Sequence, residues 1–83
     1  MLIELRDLLA QFYSTEASIQ RILADANVAA ERIFMGSSAI DIWHEALIEA
    51  DHSGCLDALL AVVEADYGGN PEFRRIYQVY KRN

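Results

Sequence analysis

Apolar residues recur along this chain at intervals of three and four, and nowhere do they alternate in twos for long enough to make a strand. That rhythm confines the fold to packed helices. Leu2, Leu5, Leu8, Leu9 and Phe12 predict a first helix ending near Tyr13. Thr15 and Glu16, a hydroxyl residue before an acid, mark a helix start, and Ile19, Ile22, Leu23 and Ala26 form the buried stripe of a second helix stopping at Asn27. Ala29 to Ile33 reads as a loose turn or a short helix. Gly36-Ser37-Ser38 then breaks the pattern, and Ser38 with Asp41 three residues on imitates a capping box for a helix running to about His52. Ser53-Gly54 is a stop, since glycine tolerates the left-handed backbone that ends many helices. Leu56, Leu59, Leu60, Val63 and Tyr67 form the next core face, closed by Gly68-Gly69. Asn70-Pro71 pairs an N-cap with a proline at the first helical position, and Phe73, Ile76, Tyr77 and Tyr80 face inward along the last helix. The expectation is all-α: a compact bundle of five to six helices, one domain over residues 1–83.

A chain of 83 residues suffices for one core and not for two. Hydrophobic residues make up 53% of it, with one proline and four glycines, which suits a packed globule and not a disordered segment. Cys55 is the only cysteine, so no intrachain disulfide or structural zinc set is available, and a reducing cytoplasm fits best. Charges begin at Glu4, too early for a secretory leader, and no apolar run approaches the roughly 18 residues that span a bilayer. Thirteen acids against seven bases give a net charge of −6, a poor field for a phosphate backbone, so nucleic acid is not the expected partner.

Residues that could carry chemistry lack companions. His44 and His52 stand eight residues apart, about 80° around a helix, and no second carboxylate-histidine pair completes a metal site. The run His44-Glu45-Ala46-Leu47-Ile48 lacks the second histidine that a zinc-protease helix needs at Ile48. Cys55 lies at a helix start near His52, but an oriented base and an oxyanion hole are missing, and it reads as a small, partly buried apolar residue. Trp43 shares a helix face with Ile40, Leu47, Ala50 and Gly54 and reads as the anchor of the core. Opposite the Leu2 to Phe12 stripe stand Glu4, Arg6, Asp7 and Gln11, not the basic face that anionic lipids attract, so core packing and not a membrane is expected there. No cofactor, metal or catalytic residue is expected, and no enzyme activity.

Charge is what remains to act. Residues 1–70 carry 12 acids and 3 bases, a net −9, whereas residues 71–83 carry 1 acid and 4 bases, a net +3. Asp41, Glu45 and Glu49 follow one another at four-residue spacing on the side of their helix away from Trp43, with Ile42 beside them. Like charges so placed cost a helix about 0.2–0.5 kcal/mol per pair, and this helix has no lysine or arginine to relieve them. In the last helix Arg74, Arg75, Lys81 and Arg82 all fall outside the inward face. These eight residues are the expected partner-binding surface. The acidic helix of one copy would meet the basic helix of the next, a head-to-tail contact that propagates unless it closes into a ring.

Trp43-His44, Leu47, Ala50, Gly54, Leu56, Leu59 and Leu60, preceded by Gly36-Ser37-Ser38-Ala39 and followed by Tyr67 and Asn70-Pro71, resemble the bacterial effector-associated domains of the first type, a death-like fold family. The first half is similar too, in Leu8-Leu9, Thr15-Glu16 and Arg21-Ile22-Leu23-Ala24-Asp25-Ala26, so the resemblance covers nearly the whole chain. It implies a six-helix death-like bundle without catalytic residues. It also implies binding to other domains of its kind and the tethering of proteases, nucleotide-dependent switches or other effectors in bacterial conflict and immunity systems. Gly68-Gly69, where one turn residue is expected, and Asn27-Val28, where glycine is commoner, depart from the pattern and bear on loop geometry. The expected function is a non-catalytic adaptor whose partner is a like domain on itself or on another polypeptide, with a homo-oligomer among the outcomes. A helix-turn-helix regulator is the alternative, with the Gly54 break between its two helices. Its recognition helix would carry Asp57, Glu64 and Asp66 and no Arg or Lys, which phosphates repel.

Overall fold

The computed structural model describes residues 2–82; the side chain of Leu2, expected on the first buried stripe, lies outside what is described. Five α-helices follow in order: α1 (Leu2–Phe12), α2 (Glu16–Asp25), α3 (Ala39–Ser53), α4 (Leu56–Tyr67) and α5 (Pro71–Arg82). A 3-10 turn at Ala30–Arg32 stands between α2 and α3, where the sequence predicts a loose turn or short helix. The fold is all-α, with no strand among the described residues.

Three of the helices begin at a side-chain cap. Thr15 Oγ1 accepts the N–H of Ser18 at 3.2 Å, Ser38 Oγ that of Asp41 at 3.3 Å, and Asn70 Oδ1 that of Phe73 at 3.1 Å. Every such bond satisfies one donor that the first turn of a helix leaves unpaired. Helix α3 closes on Gly54 at φ 74°, and the Cys55 N–H returns to the Ala50 carbonyl at 2.8 Å. Helix α2 closes the same way on Asn27 at φ 60°, with the Val28 N–H donating to the Leu23 carbonyl at 2.9 Å. Asparagine thus does at position 27 what glycine does at position 54, being one of the few residues that enter the left-handed region. Gly68 is required for space instead: a Cβ there would stand 2.6 Å from the Glu64 carbonyl oxygen.

Helix α1 packs against α3 and α5, while α4 packs against α2, α3 and α5. All five helices contribute to one apolar core, in which Trp43 is fully buried and its Nε1–H donates to the Tyr13 carbonyl at 3.1 Å. Tyr13, which the sequence marks only as a helix end, is buried beside it. Phe12 stacks on the half-buried Tyr67 with ring centroids 3.8 Å apart.

Two expectations about α3 need correction. Its buried face is Ile42, Trp43, Ala46, Leu47 and Ala50, whereas Ile40 and Gly54, expected on that face, are exposed. Because α3 packs against both α1 and α4, its apolar stripe is wider than a single contact requires and is rotated toward Ile42. Ile42 is only 3% exposed, so it belongs to the core and leaves the partner-binding set. On α5, Phe73 and Ile76 are buried, and Tyr77 and Tyr80 lie half-buried at the margin.

Candidate functional site

Asp41 and Glu45 project from the outer side of α3 and form no ion pair among the described residues. Glu49 differs. A four-residue step advances about 40° around a helix, so the third acid has turned toward the packed side. Its side chain is half-buried and lies 3.7 Å from Arg32, the last residue of the 3-10 turn. The ridge expected from spacing therefore has two free members and one that is answered within the chain.

The basic residues of α5 are all exposed but not equally free. Arg74 Nη1 donates to the Gly68 carbonyl at 3.1 Å, and Arg75 Nη1 lies 3.2 Å from Glu4 Oε2 on α1. Lys81 Nζ sits 4.7 Å from the centre of the Tyr77 ring. Arg82 has no such partner among the described residues. Exposed pairs of this kind are worth about 0–1 kcal/mol, so a partner's carboxylate can replace them. The acidic and basic sets sit on α3 and α5, and both helices pack on α1.

Between α1 and α3 runs a shallow groove lined by Ile3, Arg6, His44, Leu47 and Ile48. Its volume of about 70 Å³ is far below the roughly 300–1,000 Å³ of a small-molecule pocket. It is apolar at the surface, with Ile3 66% and Ile48 44% exposed; on α5, outside the groove, Val79 is 42% exposed. Charge patterning alone passes over these three residues. A signal was present, because Ile48 lies seven residues after Asp41 on the same stripe, and Val79 lies between Arg75 and Arg82 at four- and three-residue spacing.

His44 is exposed on α3 and lines the groove. His52 is exposed, and the Cys55 thiol is half-buried and faces the Asn27 carbonyl at 3.6 Å. Among the described residues no three of His, Cys, Asp and Glu converge where a metal could sit, and no helix is long and apolar enough to cross a membrane. The clearly perturbed titrating groups are ties between helices. Burial, then a hydrogen bond to Asp66, pushes the Tyr13 phenol well above its ordinary range. The same bond, helped by Arg21, holds Asp66 below the usual carboxylate range despite some desolvation. A hydrogen bond to Asp57 at 2.6 Å raises Tyr80 to about 12.

Compared with known proteins, residues 2–81 match the family model described as effector-associated domain 1. No curated protein and no solved structure matches the chain.

Proposed function

Since the chain belongs to the effector-associated domain 1 family, we propose that it is a non-catalytic adaptor of death-like architecture. It binds a like domain, on a second copy or on another polypeptide, and so brings an effector to its partner in bacterial conflict and immunity. Residues 1–83 act as one module in the cytoplasm, where a free thiol at Cys55 stays reduced. The order of five helices with a 3-10 turn in third place supports this reading.

The observation that carries this function is the sorting of charge onto different helices. Asp41 and Glu45 stand exposed on α3, whereas Arg74, Arg75, Lys81 and Arg82 stand exposed on α5. Opposite potentials on separate faces of one molecule steer two copies together in one orientation. Glu49 contributes less, being held by Arg32. The helix-turn-helix alternative gains no support, because α4 exposes Asp57, Glu64 and Asp66 and has no basic residue.

Charge reversal tests the proposal. Arg74→Glu with Arg75→Glu should weaken association a few-fold, and Asp41→Arg with Glu45→Arg should do the same, since exposed pairs are worth about 0–1 kcal/mol each. Mixing the two reversed variants should restore association, and salt should weaken the parent and the rescued mixture alike. Sedimentation at several concentrations, after melts confirm that each variant is folded, reads the result. Association untouched by both reversals would remove α3 and α5 as the docking faces.

A further inference from the structure

We infer that the groove between α1 and α3 receives the outer stripe of α5 from a second copy of the chain, with Val79 seated between Ile3 and Ile48. This rests on the like-domain function proposed above and narrows it to one occupant and one contact.

Three features of the surface support the match. First, the groove is apolar and open, and the ridge of Asp41 and Glu45 runs beside it: Asp41 and Ile48 lie about 20° apart around α3. Second, the outer stripe of α5 has the complementary composition. Arg75 and Arg82 are also about 20° apart, opposite Phe73 and Ile76, and Val79 stands between them along the helix. A single exposed apolar residue is ordinary on a protein surface. An exposed valine flanked by arginines, on a molecule that also carries an apolar groove flanked by acids, is a pair of matching surfaces. Third, the cation in the groove wall, Arg6, donates to Asp7 at 2.9 Å, so a carboxylate stands beside it.

The two surfaces lie on different helices of one chain, so a copy that gives its stripe to one neighbour still has its groove to offer. If the second copy returns its own stripe to that groove the pair closes as a two-fold dimer; if not, the contact is heterologous and assemblies grow with concentration unless a ring closes.

Site-specific cross-linking tests the contact. In a Cys55→Ser background, chains carrying Ile48→Cys are mixed with chains carrying Val79→Cys and oxidised mildly; disulfides form only where Cβ atoms approach within about 3.5–4.5 Å. The expected result is a 48-to-79 product several-fold above that of Phe34→Cys with Val79→Cys, Phe34 being more exposed than Ile48 and outside the groove. Val79→Asp should weaken parent association roughly tenfold or more, while Val79→Leu retains it, because the side chain moves from solvent into an apolar site. Association with no excess of the 48-to-79 product overturns the groove contact and leaves the like-domain function to the charge-reversal test. A parent that stays monomeric up to about 1 mM, where binding would be weaker than about −4.1 kcal/mol, overturns a second copy as the occupant. A sister domain is then the remaining partner for the adaptor function.

Discussion

Tyr13 ties three helices to one point. Its carbonyl accepts the Trp43 indole N–H from α3, and its hydroxyl donates to Asp66 of α4, whose carboxylate also lies 3.4 Å from Arg21 of α2. In the unfolded chain a tyrosine titrates near 10, whereas in the fold Tyr13 stays protonated well above that and Tyr80 up to about 12. The folded state therefore binds more protons across this window, and stability that is full below pH 10 is lost as pH rises through the folded values. The melting temperature should fall between pH 10 and 12, and a Tyr13→Phe, Tyr80→Phe variant, weaker at neutral pH, should lose less over that interval. Parallel pH profiles for the two proteins would contradict these ties. Asp66 works in the opposite sense: its folded value is lowered from 3.8, so its stability is present above that pH and lost as pH falls through the folded value. Trp43→Ala should cost about 3–5 kcal/mol in a denaturant melt, the usual range for a buried aromatic. A variant as stable as the parent would show that the core does not depend on the indole.

Among the elements, the turn after α2 offers the sharpest test of local chemistry. Asn27 holds a left-handed backbone at φ 60°, which costs an ordinary L-residue about 1–2 kcal/mol. Asn27→Ala should therefore destabilise by about 1 kcal/mol, and Asn27→Gly should change stability by less than about 0.5 kcal/mol, since glycine enters that region freely. Equal losses in the two variants, measured by urea melts, would place the cause in lost side-chain contacts and not in the backbone. Caps of this sort were legible because they depend on residues within one turn of each other. The face of α3 was not, since Trp43 and Leu47 mark a stripe whose width is set by the neighbours on either side.

For the molecule as a whole, the polarity of charge was legible and the surface between the charges was not. Net −9 over residues 1–70 against +3 over residues 71–83 follows from counting. Whether each charge is available depends on what lies across from it. Arg32 takes up Glu49 from 17 positions earlier in the chain, and Glu4 meets Arg75 across the α1–α5 contact. The salt dependence expected for association belongs to this scale, because it reflects the summed field of Asp41, Glu45, Arg75 and Arg82 and not one bond. If salt has no effect while the Val79→Asp variant still dissociates, the apolar seat dominates and the charges only orient the approach.

By itself the sequence determined that the chain is helical, where three of the helices start and roughly where they stop, and which residues centre its buried stripes, because caps and periodicity are properties of neighbours within about one turn. Only the tertiary structure decided the margins of those stripes. Ile42 and Tyr13 are buried while Ile3, Ile48 and Val79 are left to solvent, although all five are apolar and adjacent to core positions. The physical reason is that a residue at the edge of a helix face is covered or exposed according to where the next helix lies, and that position is set by packing of the whole core.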